Sequence, residues 1–428
     1  MIETIKNAWK IEELREKILY TFMIILVFRI GANIPVPFID ASVLAAMTGM
    51  DGSFLGFLNV LSGGAFENAA LFALGISPYI TASIIMQLLT VAIPALERMA
   101  KEGGEGRKKL NKITRYTTAG LALLQSVAFY IMNRNFRAVT LTGSAAQDFF
   151  IAVVIVMSFA AGAMMIVWLG ESIDKKGLGN GISIILFAGI VSSGPGALIF
   201  LYQLFMLGGQ YYILVPAIVL VFLFLIFAIV LMTNAERRIP VQYAKRVVGR
   251  KMYGGQSSYM PIKVTMSGVM PVIFAGALLS IPSMIAGFGN VHPESIGGII
   301  LGYFNYNTWT YAVMYLLLII AFNFFYVAMQ YNPVEMANNL RKNNGTVPGL
   351  RPGKPTSDFI GKVISKVTLV GALFIAGVAI LPIIMGAVFN IPLALGGTSI
   401  IIVVGVSLDS VKQLESQMMM RHYKGFLE

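Results

Sequence analysis

The chain has 428 residues, 57% hydrophobic and 12% charged, with a formal net charge of +12 and a mean hydropathy of +0.77. Soluble globular chains carry about 25% charge, so this composition points to a membrane protein and leaves no room for a large soluble domain. There is no cysteine, and both histidines, His292 and His422, lie outside the long apolar runs; disulfides, thiolate metal sites and cysteine nucleophiles are thereby excluded.

Residues 1–17 are polar, and Ile2, Ile5, Trp9 and Leu14 can share one helical face. This leader lacks the pattern of a cleavable signal peptide and reads either as a short helix lying on the cytoplasmic surface or as a solvated segment. Ten apolar segments follow, near 18–34, 69–92, 116–133, 149–169, 182–206, 213–233, 264–286, 309–331, 367–389 and 393–408. A membrane helix needs about 20 such residues. Alternate stretches between them, counted from the amino terminus, hold 29 of the 32 Lys and Arg; Arg134 and Arg137 lie on the other side, and Arg29 falls inside the first segment. Basic residues stay cytoplasmic during insertion, so the pattern predicts ten spans with both termini in the cytoplasm. The excess charge is explained by this topology and by anionic lipid.

Between the first two segments, Pro35–Asn68 carries no Lys or Arg, and its part 54–66 is too apolar for an exposed loop yet too short and glycine-rich to span. It reads as a re-entrant piece folded back against protein, or as an interfacial hairpin. Pro78 in the second segment, Pro271 and Pro282 in the seventh and Pro382 in the ninth are expected to kink or break their helices. Ser158, Ala160, Ala161, Gly162 and Ala163 in the fourth predict close helix approach.

The cytoplasmic stretches Asn234–Lys263 and Asn332–Lys366 are long, basic and punctuated by Pro and Gly. They read as ordered projections suited to an acidic or nucleic-acid partner, the alternative being solvated loops that only set topology. Gly103–Lys109 lacks the order of a phosphate-binding loop, and Gly177–Gly181 has no preceding strand and is no dinucleotide fingerprint. None of the 20 Asp and Glu falls inside an apolar segment. That argues against a proton-coupled pump, although sodium sites built from carbonyls and hydroxyls survive the test.

Several blocks in order, Arg29-Ile30-Gly31 with Ile34-Pro35-Val36-Pro37, Ser62-Gly63-Gly64-Ala65, Ala73–Ile80, Glu102–Lys109, Gly179–Ser183, Tyr243–Arg246, Pro348–Gly353 and Gly396–Ser399, resemble the SecY/Sec61-alpha family over nearly the whole chain. The resemblance implies an all-α polytopic fold of ten transmembrane helices, in two inverted pseudo-symmetric halves, 1–206 and 207–428, around an hourglass pore. The hinge would lie between spans five and six, and the side between spans two and three and spans seven and eight would open to lipid.

Carried over onto this sequence, the resemblance implies a pore ring of Ile76, Ile80, Ile182, Leu186, Ile273 and Ile402. It implies a plug near 57–68, with Phe57, Leu58, Asn59, Leu61, Ser62, Gly63 and Gly64. Ser83 and Gln87 would line the lateral gate, with Gln87 able to latch span two to spans seven or eight. Lys245, Arg246, Arg250, Lys251 and Arg351 would dock SecA or the ribosome. The implied partners are SecE and SecG in a heterotrimer, SecA, the ribosome, signal peptides and unfolded preproteins, with SecDF and YidC as accessories, in the bacterial cytoplasmic membrane. No cofactor, metal or catalytic residue is implied. Two other classes stand beside this one. A small-solute secondary transporter fits the span count and the broken helices. An intramembrane enzyme has no acid–base candidate at depth.

Overall fold

A computed structural model of the chain describes residues 2–48, 59–60, 62–140, 143–243, 246–248, 251–253, 257–288, 298, 302–304, 308–389 and 397–424. Of the predicted site residues, Phe57, Leu58, Leu61, Lys245 and Arg250 lie outside these, and Arg246 and Lys251 are described by their backbone alone.

The helices in chain order are α1 (Ile2–Trp9), α2 (Glu12–Gly31), α3 (Ala41–Thr48), α4 (Ser77–Ala92), α5 (Pro94–Lys101), α6 (Gly104–Asn135), α7 (Ala145–Lys176), α8 (Gly181–Met206), α9 (Tyr211–Asn234), α10 (Met270–Phe288), α11 (Trp309–Gln330), α12 (Pro333–Lys342), α13 (Lys354–Phe389) and α14 (Gly397–Lys424). Each predicted apolar segment overlaps one of them, the second and seventh only in part, since their helices begin at Ser77 and Met270. Six described helices, α7, α8, α9, α11, α13 and α14, are long and apolar enough to cross a membrane, and α4 with α5 forms a further candidate bent by 102°. The bend falls at Ile93, whose extended backbone (φ −110°, ψ 112°) precedes Pro94. A proline excludes the α conformation from the residue before it. Helix α9 shows what the outer faces require: Ile213, Leu220, Phe224 and Phe227 are all more than 60% exposed, an apolar surface that only lipid covers.

The core is divided among several apolar clusters. One joins α9, α10, α11, α13 and α14. A second joins α2, α7 and α8 with Val60, Ala65, Ala70 and Phe72, and a third packs Phe66, Ala69 and Ala73 against α6 and α7. Of the stretch 54–66 expected to be re-entrant, residues 59–60 and 62–66 are described, and with 67–76 they form turns wedged between the second and third clusters. Backbone bonds tie it down, from Val36 N–H to the Ala69 carbonyl and from Leu71 N–H to the Ile34 carbonyl, both 2.9 Å. Glycines make room for it: a Cβ on Gly31 would lie 2.1 Å from the Phe72 ring, and one on Gly162 would lie 2.0 Å from the Leu71 carbonyl oxygen. The small residues of the fourth segment thus admit a loop backbone, where a neighbouring helix was expected.

This changes two proline assignments. The helix of the second segment begins only at Ser77, so Pro78 sits in its first turn, and Pro271 likewise occupies the first turn of α10. Proline suits that position because its missing N–H has no intrahelical partner there. Pro282 and Pro382 do lie inside α10 and α13. The leader also differs from expectation. Ala8 and Leu14 pack with Leu178 and Leu414 on the cytoplasmic end of α14, while Trp9 remains 47% exposed. The helix docks through its small residue because Ala8 allows a closer approach than the indole.

The two long basic loops add strands to the helical fold. Strands β1 (Glu236–Tyr243), β4 (Ser257–Lys263) and β5 (Gly345–Thr346) form an antiparallel sheet in the order β4-β1-β5, and β2 (Arg246–Val248) pairs with β3 (Lys251–Tyr253). The register runs from Glu236 opposite Lys263 to Gln242 opposite Ser257. Ile239 and Val241 point inward onto Leu340, Val347 and Ile360, giving both loops a common apolar core.

Gly162→Ala is expected to lower unfolding stability by about 1–3 kcal/mol, the usual scale of overpacking. Gly120→Ala on α6, where a Cβ meets nothing within 4 Å, should leave it equal or slightly raised. Thermal unfolding midpoints in one detergent check both; equal midpoints would remove the close-approach argument.

Candidate functional site

Six residues spread over the sequence meet in one apolar cluster. Ile76 caps the start of α4, with Ile80 one turn on; Ile182 and Leu186 lie on α8, Ile273 on α10 and Ile402 on α14. Ile76, Leu186 and Ile402 are buried in the cluster, and Ile80, Ile182 and Ile273 pack against it, partly exposed. The side chains come from both ends of the sequence and offer no polar atom. A narrow collar of this composition dewets and resists ions.

A cavity of about 520 Å³ adjoins the collar and has Leu186, Ile273 and Ile402 in its wall. Its polar lining includes Asn180 before α8, Thr233 at the end of α9, Glu236 and Lys263 on the strands that follow, and Asp409 within α14. The wall thus combines these polar side chains with the apolar ones of the cluster. Ser267 in the same wall is buried with its hydroxyl unpartnered.

The re-entrant turns pack against the same cluster. Within them the Asn59 side chain donates to Glu67 Oε2 (2.9 Å), and the Glu67 N–H donates to Asn59 Oδ1 (3.0 Å). The Ser62 hydroxyl donates to the Asn59 carbonyl and accepts from the Phe66 N–H. The loop from 59 to 67 is thus closed on itself. Its tie to the helices is Arg29, whose Nη1 donates to the Gly63 carbonyl at 2.7 Å and to Ser192 Oγ on α8 at 2.8 Å. Neither Arg29 nor Ser192 figured among the predicted site residues. The available signal was Arg29 itself, a lone cation inside an apolar segment, since ionisable residues at membrane depth need partners.

Helix α10 contacts α4 and α6, the pairing expected of the side that opens. Gln87 does not latch it. Its Nε2 lies 3.4 Å from Ser83 Oγ on its own helix, and its Oε1 is buried without a partner. Four residues apart on one helix, the two side chains share a face, and that local contact replaces the expected one to α10 or α11. Across the molecule α8 and α9 are joined by four residues that include Gly208 and Gly209, with φ of +74° and +62°. Glycine adopts that conformation without steric cost.

In the second basic loop Arg351 is exposed in the turn leading to α13, and its carbonyl accepts the Thr356 hydroxyl at 2.8 Å. Arg246 and Lys251 lie on the paired strands β2 and β3, where Arg246 is opposite Tyr253 and Lys251 opposite Val248. Arg115 on α6 is bound in bidentate fashion to Glu171 on α7, which raises its pKa above the ordinary guanidinium value. Arg107, Lys108, Lys109 and Lys112 at the start of α6 are exposed. Among the described residues no group of three His, Asp or Glu is placed to hold a metal.

The family model for SecY matches residues 70–411. A protein translocase subunit SecY from Halalkalibacterium halodurans is 43% identical over the full length of both chains. The fold is similar to a solved SecY channel whose plug domain stabilises the closed state and maintains a membrane seal, with a TM-score of 0.67 at 21% identity, covering 94% of this chain and 92% of that one. It is also similar to Sec61 in a canine ribosome-channel complex from the endoplasmic reticulum, with a TM-score of 0.64 at 20% identity and the same coverage.

Because Gln87 buries an unpaired oxygen, Gln87→Leu should keep thermal stability or raise it by up to about 1 kcal/mol, an unsatisfied buried acceptor being costly. A clear loss in the same unfolding assay would mean that the amide holds α4 to a neighbouring helix.

Proposed function

The chain belongs to the SecY family, and from that premise we propose that it is a multi-pass channel subunit through which unfolded polypeptides cross a membrane. It is a channel and not an enzyme. The observation that carries this reading is the meeting of Ile76, Ile80, Ile182, Leu186, Ile273 and Ile402 in one apolar cluster, between the re-entrant turns and the 520 Å³ cavity.

The physics of passage follows from those side chains. An apolar collar has nothing to grip a polypeptide by hydrogen bonding, and its rotamers adjust around residues of different size. Sealed, it is dry, because water gains no partner inside it. The turns at 59–67 act as the plug on the outer side, and the cavity is the cytoplasmic funnel. Movement of α10 away from α4 and α6, about the glycine-containing link between α8 and α9, opens the wall to lipid. An apolar segment then partitions sideways while a polar one continues across. A signal peptide favours the open state by binding it better than the closed one.

No phosphate-binding motif is visible in the sequence, so the driving energy is supplied by partners. SecA or a ribosome docks on the sheet of the basic loops, with Arg351, Arg246 and Lys251 as the cationic contacts and Lys245 and Arg250 beside them. The solved Sec61 relative in a ribosome-channel complex supports a ribosomal partner. One basic surface serves both because an acidic protein face and RNA phosphates reward clustered cations alike. SecE and SecG complete the complex, and SecDF and YidC assist it. The ten spans form two inverted halves, 1–206 and 207–428, with both termini on the cytoplasmic side of the bacterial inner membrane.

The test uses the chain's lack of cysteine. Ile80→Cys, reconstituted with SecE and SecA, should form a disulfide with a single-cysteine precursor stalled in transit, only with ATP and only at matching depth. No crosslink from Ile80→Cys, Ile182→Cys or Ile273→Cys despite confirmed SecA binding would overturn the ring and favour a small-solute transporter. Arg351→Glu should lower SecA-driven translocation by at least tenfold while leaving the unfolding midpoint unchanged; wild-type rates would remove the docking role.

A further inference from the structure

Arg29 is the one Lys or Arg within the ten apolar segments. A cation at membrane depth is held by compensating partners, yet among the described residues no carboxylate lies within 4.0 Å of it. Its partners are neutral, the Gly63 carbonyl and the Ser192 hydroxyl. Ser192 is oriented to accept from the arginine, because its own proton goes to the Gly189 carbonyl at 2.6 Å and leaves a lone pair facing the guanidinium. Two elements far apart in sequence are thus joined through the Arg29 side chain, beside a long direct contact of 3.5 Å between the Ser192 hydroxyl and the Gly63 carbonyl.

Gly63 provides an independent sign that the junction is built. Its φ is +69°, and a Cβ there would lie 2.8 Å from Arg29 Nη1 and 3.0 Å from both Gly189 Cα and Ser192 Oγ. Only glycine lets this carbonyl reach the arginine while its backbone rests on α8. The loop presenting the carbonyl is braced internally, by the Asn59–Glu67 pair and by bonds from Gly63 N–H to the Val60 carbonyl and Gly64 N–H to the Asn59 carbonyl. A loop closed on itself moves as one body, so a single charged tether can hold or release it.

We propose that Arg29 is the positioning residue that latches the 59–67 turns shut, clamping the Gly63 carbonyl to Ser192 on α8. The proposal rests on the channel reading. Release then involves breaking charge-assisted hydrogen bonds, after which the arginine needs water or another partner. The latch therefore resists opening most when the outer funnel is dry, and an entering chain or water file that solvates the guanidinium weakens it.

The test compares Arg29→Met, Arg29→Lys and Ser192→Ala with the unaltered full-length protein, each purified with its partner subunits. Deletion of residues 57–67 is the reference for an unplugged channel. Two readouts are taken without precursor, the open probability in planar bilayers and hydrogen exchange of the peptide covering 59–67. Charge-assisted bonds of this kind predict a roughly tenfold to hundredfold rise in both for Arg29→Met. A smaller rise is expected for Ser192→Ala, which keeps the Gly63 bond, and partial recovery for Arg29→Lys. A conducting deletion alongside an Arg29→Met protein as closed and as protected as wild type would sink the latch and leave the channel reading standing. Openings without faster exchange at 59–67 would overturn it too, because Arg29 would then act elsewhere. A deletion that conducts nothing would overturn the channel reading and the latch with it. Should Arg29→Met fail to fold, Ser192→Ala decides by the same two readouts, an unchanged result going against the proposal.

Discussion

A stretch of non-helical backbone inside a membrane protein is the constraint on which the rest of this structure depends. Lipid offers no hydrogen bonds, so turns at membrane depth survive only if protein supplies every partner and excludes the acyl chains. The described residues among 59–76 are held by bonds to Ile34, Val36 and Arg29 and by burial of Phe66 and Phe72. The neighbouring helices are shaped accordingly. Gly31 and Gly162 leave space for Phe72 and the Leu71 carbonyl, and α4 cannot start before Ser77 because the chain ahead of it is occupied in turns. A short helix follows, and Ile76 at its N-cap packs in one cluster with Leu186 and Ile402.

The collar and the re-entrant loop solve one problem by opposite means. The collar is held by packing alone, which is easy to deform because each contact is weak and many are exchanged together. The loop adds to its packing a few directional bonds, one of them from a cation, which are costly to break singly. A seal made only of the first would leak with every thermal fluctuation, and one made only of the second would not adapt to a passing chain. Their juxtaposition gives a barrier that is soft around a substrate and firm without one. Beyond the long helices, inward Ile239 and Val241 give the strands and the two basic loops one shared apolar core.

Much of this was legible in the sequence because the bilayer imposes simple rules. The long apolar runs located the segments that overlap helices, and the apolar, glycine-rich composition of 54–66 set that stretch apart from both loop and span. What escaped were features decided by neighbours. Whether Pro78 kinks a helix or opens one depends on where the turns before it end. Gln87 could as well have reached α10 as Ser83, since an amide on a helix has partners on several sides and only the packing selects one. The strands in the basic loops were hidden because Glu236–Tyr243 alternates over few residues, and the partner Ser257–Lys263 is needed to make the pattern a sheet. Ser192 lies 163 positions from Arg29, a pairing that no local pattern contains.

Arg29 also connects topology to mechanism. Basic residues elsewhere in the chain set its orientation, held at the cytoplasmic surface where water and anionic lipid solvate them. Placing one within a span reduces that solvation, and the bonds to Gly63 and Ser192 offset part of the loss. The loop is thus fixed by the arginine, and the arginine is tolerable because of the loop. Such mutual dependence makes the closed state cooperative: once either partner finds water, the other loses its reason to stay. Because the bonds are to a carbonyl and a hydroxyl, with no carboxylate in contact among the described residues, no ion pair has to be separated in a dry environment. The barrier therefore stays within what binding of an inserted segment can overcome, and an equilibrium of that size is the kind that a docked partner can shift.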